Sequence, residues 1–332
     1  MTDNNTEYLI NKPVPCMDEV FAGRIGQSVD GYRETCCMLT ACELGLFDLF
    51  SEEHSADDAR ERIGYRSALM EPFLDILEGM GLLTRNGDLY RNSSISDMYF
   101  TSTSPYAQTN HMKLMKRMLL EWNSMTDFLT GNWPERKGEQ NSETFIRGIS
   151  ENARSGEIQD TLANVRRYID LTQHRTLLDI GGGHGMYAIA FKTAYPNLEC
   201  TLFDQPRITP IARENSELFG VPISIQSGDY YKDKVDGTYD IVFASYNGAG
   251  MDPALAGTVA DLVNDGGYLI IRHSRPGLGS PFRFIEWNNH PEAEKRDPHA
   301  FEKYLEISES HGMKLVGRDI IPVRTEMVIL RR

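Results

Sequence analysis

The hydrophobic rhythm of the chain changes about halfway along. From residue 176 onward, short apolar runs of strand length alternate with stretches of helical periodicity. The runs are 176–180 (TLLDI), 198–203 (LECTLF), 223–226, 239–244 (YDIVFA), 268–272 (YLIIR), 313–320 and 325–330. Helical patterns cover 186–194, 208–219 and 300–311, while 265–267 (DGG) reads as a turn and 276–298 as irregular. Near-continuous apolar strands alternating with helices predict an α/β fold, a doubly wound, mostly parallel sheet covered on both faces.

Before residue 176 the period is helical. In 32–50, Cys37, Met38, Ala41, Leu44 and Leu46 form a face broad enough to be buried on more than one side. Ser55 and Ser67 stand as N-caps ahead of helical patterns over 56–63 and 68–80. In 81–92 (GLLTRNGDLYRN), Asn86 and Gly87 separate two short strand-like runs, which predicts a hairpin. Helices followed by a hairpin suggest a winged helix. His111, Met112, Leu114, Met115, Met118 and Leu119 recur at helical spacing, and 132–142 is a polar loop. The expected organisation is a mostly helical domain over 1–105, linker helices over 106–170 and the α/β domain over 171–332.

Candidate chemistry gathers where the first strand of the α/β half meets its helix. There Asp179 runs into Gly181, Gly182, Gly183 and Gly185. Glycines tolerate positive φ and let a ligand approach the backbone closely. A dinucleotide fingerprint, G-x-G-x-x-G, fails, because Met186 stands where its third glycine belongs. The pattern present is D-x-G-x-G-x-G, which resembles motif I of the class I S-adenosylmethionine methyltransferases. Asp204 ends the second strand, 19 residues after Gly185, near the spacing at which such folds place an acid on ribose hydroxyls. Asp229 ends the third strand, where it can accept from an adenine amino group with Tyr230 packed on the ring.

Charge removes other readings. Lys and Arg number 34 against 48 Asp and Glu, a net −14 that opposes general affinity for nucleic acid or an anionic membrane. The would-be recognition helix over 67–80 carries Glu71, Asp75 and Glu78 without a basic residue, so it would repel phosphate. Cys16, Cys36, Cys37, Cys42 and Cys200 form no C-x-x-C pair, no stretch approaches the length of a membrane span, and the first ten residues lack signal-peptide features. A cytoplasmic protein is expected. His290 and His299 bracket Glu292 and Glu294 at a spacing that matches no common zinc pattern, so no metal is expected.

The motifs DIGGGHG, FDQP (203–206), GDYY (228–231) and DGGYLII (265–271), with LTACELGLFDLF and GLLTRNGDLY upstream, resemble the small-molecule O-methyltransferase family. That family contains the caffeic acid and hydroxyindole O-methyltransferases and a bacteriochlorophyllide C-methyltransferase. The resemblance covers nearly the whole chain. It implies S-adenosylmethionine as cofactor, a homodimer joined through the N-terminal domain, and a small aromatic or conjugated acceptor. It assigns cofactor contact to Asp179, Gly181, Gly183, Asp204, Gly228, Asp229, Tyr230 and Ser245. Candidate substrate contacts are Trp287, Asn288, Asn289 and His290, where relatives have a substrate-lining segment, then Tyr246 and Asn247 after the fourth strand and His111 and Met115 on the linker helix, where a core role is the simpler reading.

The chain also departs from the family. The plant-type enzymes use a histidine base in a His-Asp-Trp segment after the fourth strand; here 245–253 reads SYNGAGMDP, with Ala249 in the histidine's place. Lys or Arg is common at the position of Ser245, so a cation near the cofactor is expected to be missing. The sulfonium is already a strong electrophile, and positioning alone can supply much of the acceleration. The expected activity is therefore O- or C-methylation without that histidine; the alternative is a cofactor-binding dimer that does not methylate. His273 is a candidate replacement base, although a structural histidine is the simpler reading.

Overall fold

The computed structural model describes residues 16–132, 143–274, 281–282, 285, 297–322 and 325–332. They form two compact units, Met1–Lys113 and Leu114–Arg332.

The first unit contains α1 (Met17–Ala22), α2 (Arg24–Glu43), α3 (Leu46–Leu49), β1 (His54–Ser55), α4 (Ala56–Ile63), α5 (Met70–Gly79), β2 (Leu83–Asn86), β3 (Leu89–Asn92) and α6 (Ser94–Tyr99). Its core is built on Leu46, Phe47, Phe50, Leu74, Leu77 and Tyr90. Ser55 caps α4: its side chain accepts from the Asp58 amide, and the Asp58 carboxylate accepts from the Ser55 amide at 2.8 Å. Ser67 does not cap α5, which starts at Met70; its hydroxyl instead accepts from the Leu69 amide at 3.1 Å, a local turn that precedes the helix. The hairpin forms one residue later than expected. Asn86 pairs with Leu89, leaving Gly87 and Asp88 as the two-residue loop, with glycine at positive φ in its first position. β1 completes a three-stranded sheet in the order β1-β3-β2.

α7 (Thr109–Trp122) carries the boundary between the units. The second unit continues with α8 (Met125–Thr130), α9 (Glu143–Asn152), a kink over Ala153–Glu157 and α10 (Ile158–Val165). It then alternates through β4 (Thr176–Ile180), α11 (Met186–Ala194), β5 (Glu199–Asp204), α12 (Thr209–Phe219), β6 (Ser224–Ser227), β7 (Tyr239–Ser245), α13 (Pro253–Asp261), β8 (Val263–Ser274), α14 (Ala300–Ser310), β9 (Lys314–Ile321) and β10 (Thr325–Arg331). The sheet order is β6-β5-β4-β7-β8-β10-β9. The first five strands are parallel, and β10 runs antiparallel to both neighbours.

The pleat sorts the strand residues between two cores. Leu178, Ile180, Val242, Ala244, Leu269 and Ile271 face α13 and α14, packing with Val259, Ala260 and Tyr304. Leu177, Ile241, Phe243 and Ile270 face the other way, against Tyr187, Ala188 and Phe191 of α11 and Ile158 and Val165 of α10. Each such fully buried aliphatic side chain stabilises the fold by about 1.5–3 kcal/mol. One expected break is absent: 265–267 lies inside β8. Tyr239 pairs with Val263 and Ile241 with Tyr268, so 264–267 bulges while the strand continues. The Tyr239 amide bonded to the Leu262 carbonyl and the Asn264 side chain bonded to Asp240 hold the pairing across the bulge.

Candidate active site

The carboxyl ends of β4, β5 and β7 converge on the glycine turn, the place where open α/β sheets bind ligands. Gly181, Gly183 and Gly185 have φ of +65°, +53° and +76°. A Cβ on Gly181 would meet the Asn247 amide at 2.6 Å, and one on Gly182 would meet the Asp179 carboxyl carbon at 2.6 Å. The turn therefore presents bare backbone because both its conformation and its neighbours exclude side chains.

Asp179 lies beneath the turn, 1% exposed. Neither carboxylate oxygen has a partner in full hydrogen-bond geometry. Burial, then the neighbouring Asp204, push its pKa up to about 7; the Ala188 amide and the Arg272 guanidinium oppose the shift only in part. Asp204 accepts from the Gly183 amide at 2.8 Å and the Gln205 amide at 2.6 Å, and burial raises its pKa against those two bonds. His184, in the turn itself, is buried and driven down to about 4, chiefly by desolvation and then by the charges of Arg272 and Arg154. It is neutral, its Nδ1 accepting from the Met186 amide.

The β6 side is more open. Asp229 pairs with Lys232 at 3.0 Å and accepts from the Tyr231 amide, and Lys232 foremost holds its carboxyl below the ordinary range. Tyr230 packs at 5.0 Å from Tyr231, and its edge lies 3.2 Å from where a Gly181 Cβ would be. Gly228 is buried under the Phe203 ring, which a Cβ would meet at 2.6 Å, so its place is a packing constraint.

Beyond β7 the chain folds back on the turn. The Asn247 side chain donates to the Ile180, Gly181 and Ser245 carbonyls at 2.8, 3.2 and 3.3 Å, bracing the turn from below. Tyr246 has φ +53°, an uncommon backbone for a residue with a side chain, and its hydroxyl bonds Thr325. Ser245 accepts from Arg272 Nη1 at 3.1 Å. A guanidinium therefore stands beside Ser245 from the paired strand, since Ser245 and Arg272 are partners in the β7–β8 register. Sequence reading passed over Arg272 in favour of the adjacent His273. The signal available was a charged residue ending an otherwise apolar strand.

His273 faces the opposite side of the sheet. Its Nε2 lies 3.0 Å from Glu326, which also pairs with Arg318 at 2.9 Å, and its Nδ1 lies 3.1 Å from the Ser274 carbonyl. Burial lowers its pKa, and its ring packs 3.8 Å from Phe301, on the sheet face away from α11. Ala249 is fully buried, and its carbonyl accepts from the Tyr304 hydroxyl at 2.6 Å. His111 and Met115 are half-buried on α7, the first in one unit and the second in the other. Trp287, Asn288, Asn289 and His290 lie outside the described residues. Among the described residues no group of His, Cys, Asp and Glu could hold a metal, and no helix is long and apolar enough to cross a membrane.

Comparison with known proteins matches this geometry to a family. The O-methyltransferase domain matches residues 134–245 and the O-methyltransferase dimerisation domain residues 27–102. The chain is 31% identical to an acetylserotonin O-methyltransferase of Gallus gallus over 64% of this chain and 67% of that protein. It is 28% identical to an uncharacterized protein of Methanocaldococcus jannaschii over 83% and 80% of the two. The fold is similar to human N-acetylserotonin methyltransferase in complex with S-adenosylmethionine, with TM-score 0.74, 20% identity and coverage of 93% and 96%. With both domains matched and a relative 31% identical over 67% of its length, the chain belongs to the S-adenosylmethionine-dependent O-methyltransferases.

Proposed function

We propose that this enzyme methylates a hydroxyl oxygen of a small aromatic or conjugated acceptor that is acidic enough to react without a histidine base. The reading is carried by the segment after β7, where, among the described residues, no histidine takes the place of the family's base. Ala249 stands buried in the histidine's place, and the nearby candidate His273 has both ring nitrogens facing oxygens. Three of the relatives are named for acetylserotonin, for a tetracenomycin polyketide and for 3-hydroxy-5-methyl-1-naphthoate, and these names support an aromatic acceptor.

The residues present fit the cofactor. The bare backbone of 181–183 would take its methionyl and ribosyl parts, Asp204 the ribose hydroxyls, and Asp229 with Tyr230 the adenine. When bound, S-adenosylmethionine supplies an electrophilic methyl on sulfur. The chain's own contribution is to brace that turn through the Asn247 hydrogen bonds and to keep an ionised acceptor in line, which proximity converts into rate. We assign the first unit to a homodimer contact of winged-helix type. Phe21, Ile25 and Tyr32, exposed along α1 and α2, support that assignment.

The test pairs calorimetry with S-adenosylmethionine and transfer assays over phenols of graded acidity. The expected result is binding, with rates that rise with pH along each phenol's own ionisation. A single protein-derived pKa near that of histidine, the same for every phenol, would overturn the base-free mechanism. Binding with no transfer to phenols, amines or carbon acids would favour a family member that does not methylate.

A further inference from the structure

Arg272 is only 1% exposed, and among the described residues its sole carboxylate contact is a loose one. Nη1 donates to the Tyr187 hydroxyl and to Ser245, Nη2 lies 3.5 Å from Glu157, and Nε has no partner. Charge-assisted pairs close to about 2.7–2.9 Å when they are good. The Glu157 contact is loose on both sides, at 3.5 Å from Arg272 and 3.4 Å from the Tyr187 hydroxyl. Asp179 offers less charge than its proximity implies, because its raised pKa leaves it partly protonated near neutral pH.

Glu157 is also placed to move. Its side chain is 23% exposed above a buried guanidinium, and it closes the kink between α9 and α10, in which Ser155 and Gly156 leave helical φ/ψ. Its other oxygen is held by the Asn152 amide at 3.1 Å, a partner that can keep the side chain after Arg272 is given up.

The sheet order says which end of a ligand arrives here. Asp229 and Asp204 stand at the ends of β6 and β5, the glycine turn follows β4, and β7 and β8 come next. A nucleoside seated on the first two strands projects its amino-acid tail across β4 toward β7 and β8. Asp179, Ser245 and Arg272 share the sheet face covered by α10 and α11. We propose that Arg272 is the binding residue for the methionyl carboxylate of the cofactor, and that Glu157 occupies that carboxylate's place until the ligand displaces it. The inference rests on the cofactor site described above.

S-adenosylhomocysteine carries the carboxylate and 5′-methylthioadenosine does not, so calorimetry with the two probes isolates this end of the site. Arg272→Gln is expected to weaken S-adenosylhomocysteine about tenfold or more and to leave methylthioadenosine within about twofold. Glu157→Gln is expected to strengthen S-adenosylhomocysteine a few-fold by removing the competing carboxylate. Should the glutamine variant at 272 not fold, Arg272→Lys keeps the charge and loses the planar fork; it too should weaken only S-adenosylhomocysteine. An equal effect on both probes, no effect on either, or weaker S-adenosylhomocysteine binding in Glu157→Gln would overturn the assignment. A wild-type protein that binds neither probe would instead remove the cofactor reading beneath it.

Discussion

The two halves of the carboxyl edge are built differently. On the nucleoside side, β4 to β6, each candidate residue is placed by its own neighbours in sequence: the turn by its glycines, Asp204 and Asp229 by ending their strands. On the acceptor side, β7 and β8, placement depends on pairs far apart in the chain. Ser245 meets Arg272, Arg272 meets Tyr187 and Glu157, and Asn247 reaches back to Ile180. The first half is a local motif, whereas the second is a network. A motif tolerates change elsewhere, whereas the members of a network are coupled through shared partners, as Ser245, Tyr187 and Glu157 are through Arg272.

Three substitutions sharpen the contrast, in order of expected size. Asp179→Asn should act most strongly, because the wild-type acid is fully buried with a pKa raised to about 7. Between about pH 4 and that value, the folded chain holds a proton that the unfolded chain has already released, so the stability of the cofactor-free protein falls as pH rises. The asparagine variant should escape this loss and exceed the wild type by about 4 kcal/mol above pH 7, with no gain below about pH 4. Denaturant unfolding across pH measures it, and equal stability at pH 8 would show that Asp179 is not held protonated.

Asp204→Asn comes next. It should weaken S-adenosylhomocysteine and methylthioadenosine alike, each by about 1.5–3 kcal/mol, since both carry the ribose hydroxyls. Calorimetry that found only S-adenosylhomocysteine weakened would place the ribose elsewhere and blur the distinction between the two halves. His273→Gln should be smallest. Because both ring nitrogens face fixed oxygens, glutamine should cost about 1 kcal/mol of stability and leave the pH profile of transfer unmoved. A lost limb in that profile would make His273 the base after all.

Much of this was legible beforehand. Strand and helix order from 176 onward followed from buried apolar runs, and Ser55 from its place just ahead of the helical pattern over 56–63. The misplacements are instructive. Ser67 carries a capping residue's chemistry and spends it on a turn. The DGG at 265–267 has turn composition, yet pairing with β7 on either side turns it into a bulge. His273 drew attention as a titrating side chain, whereas its neighbour Arg272 is on the face that meets the glycine turn's helix. Alternation along β8 decides which of the two reaches the site, and the sequence does not say which face that is.

The sequence by itself determined the fold class, the glycine turn and the acids that end the neighbouring strands. These depend on backbone conformation and strand length, which neighbouring residues dictate. Tertiary structure decided where the cation stands, which sheet face His273 takes and what Asp179's proton does. Each of those depends on charges brought together from β4, β7, β8, α11 and the kink before α10, and on a burial that no single segment creates.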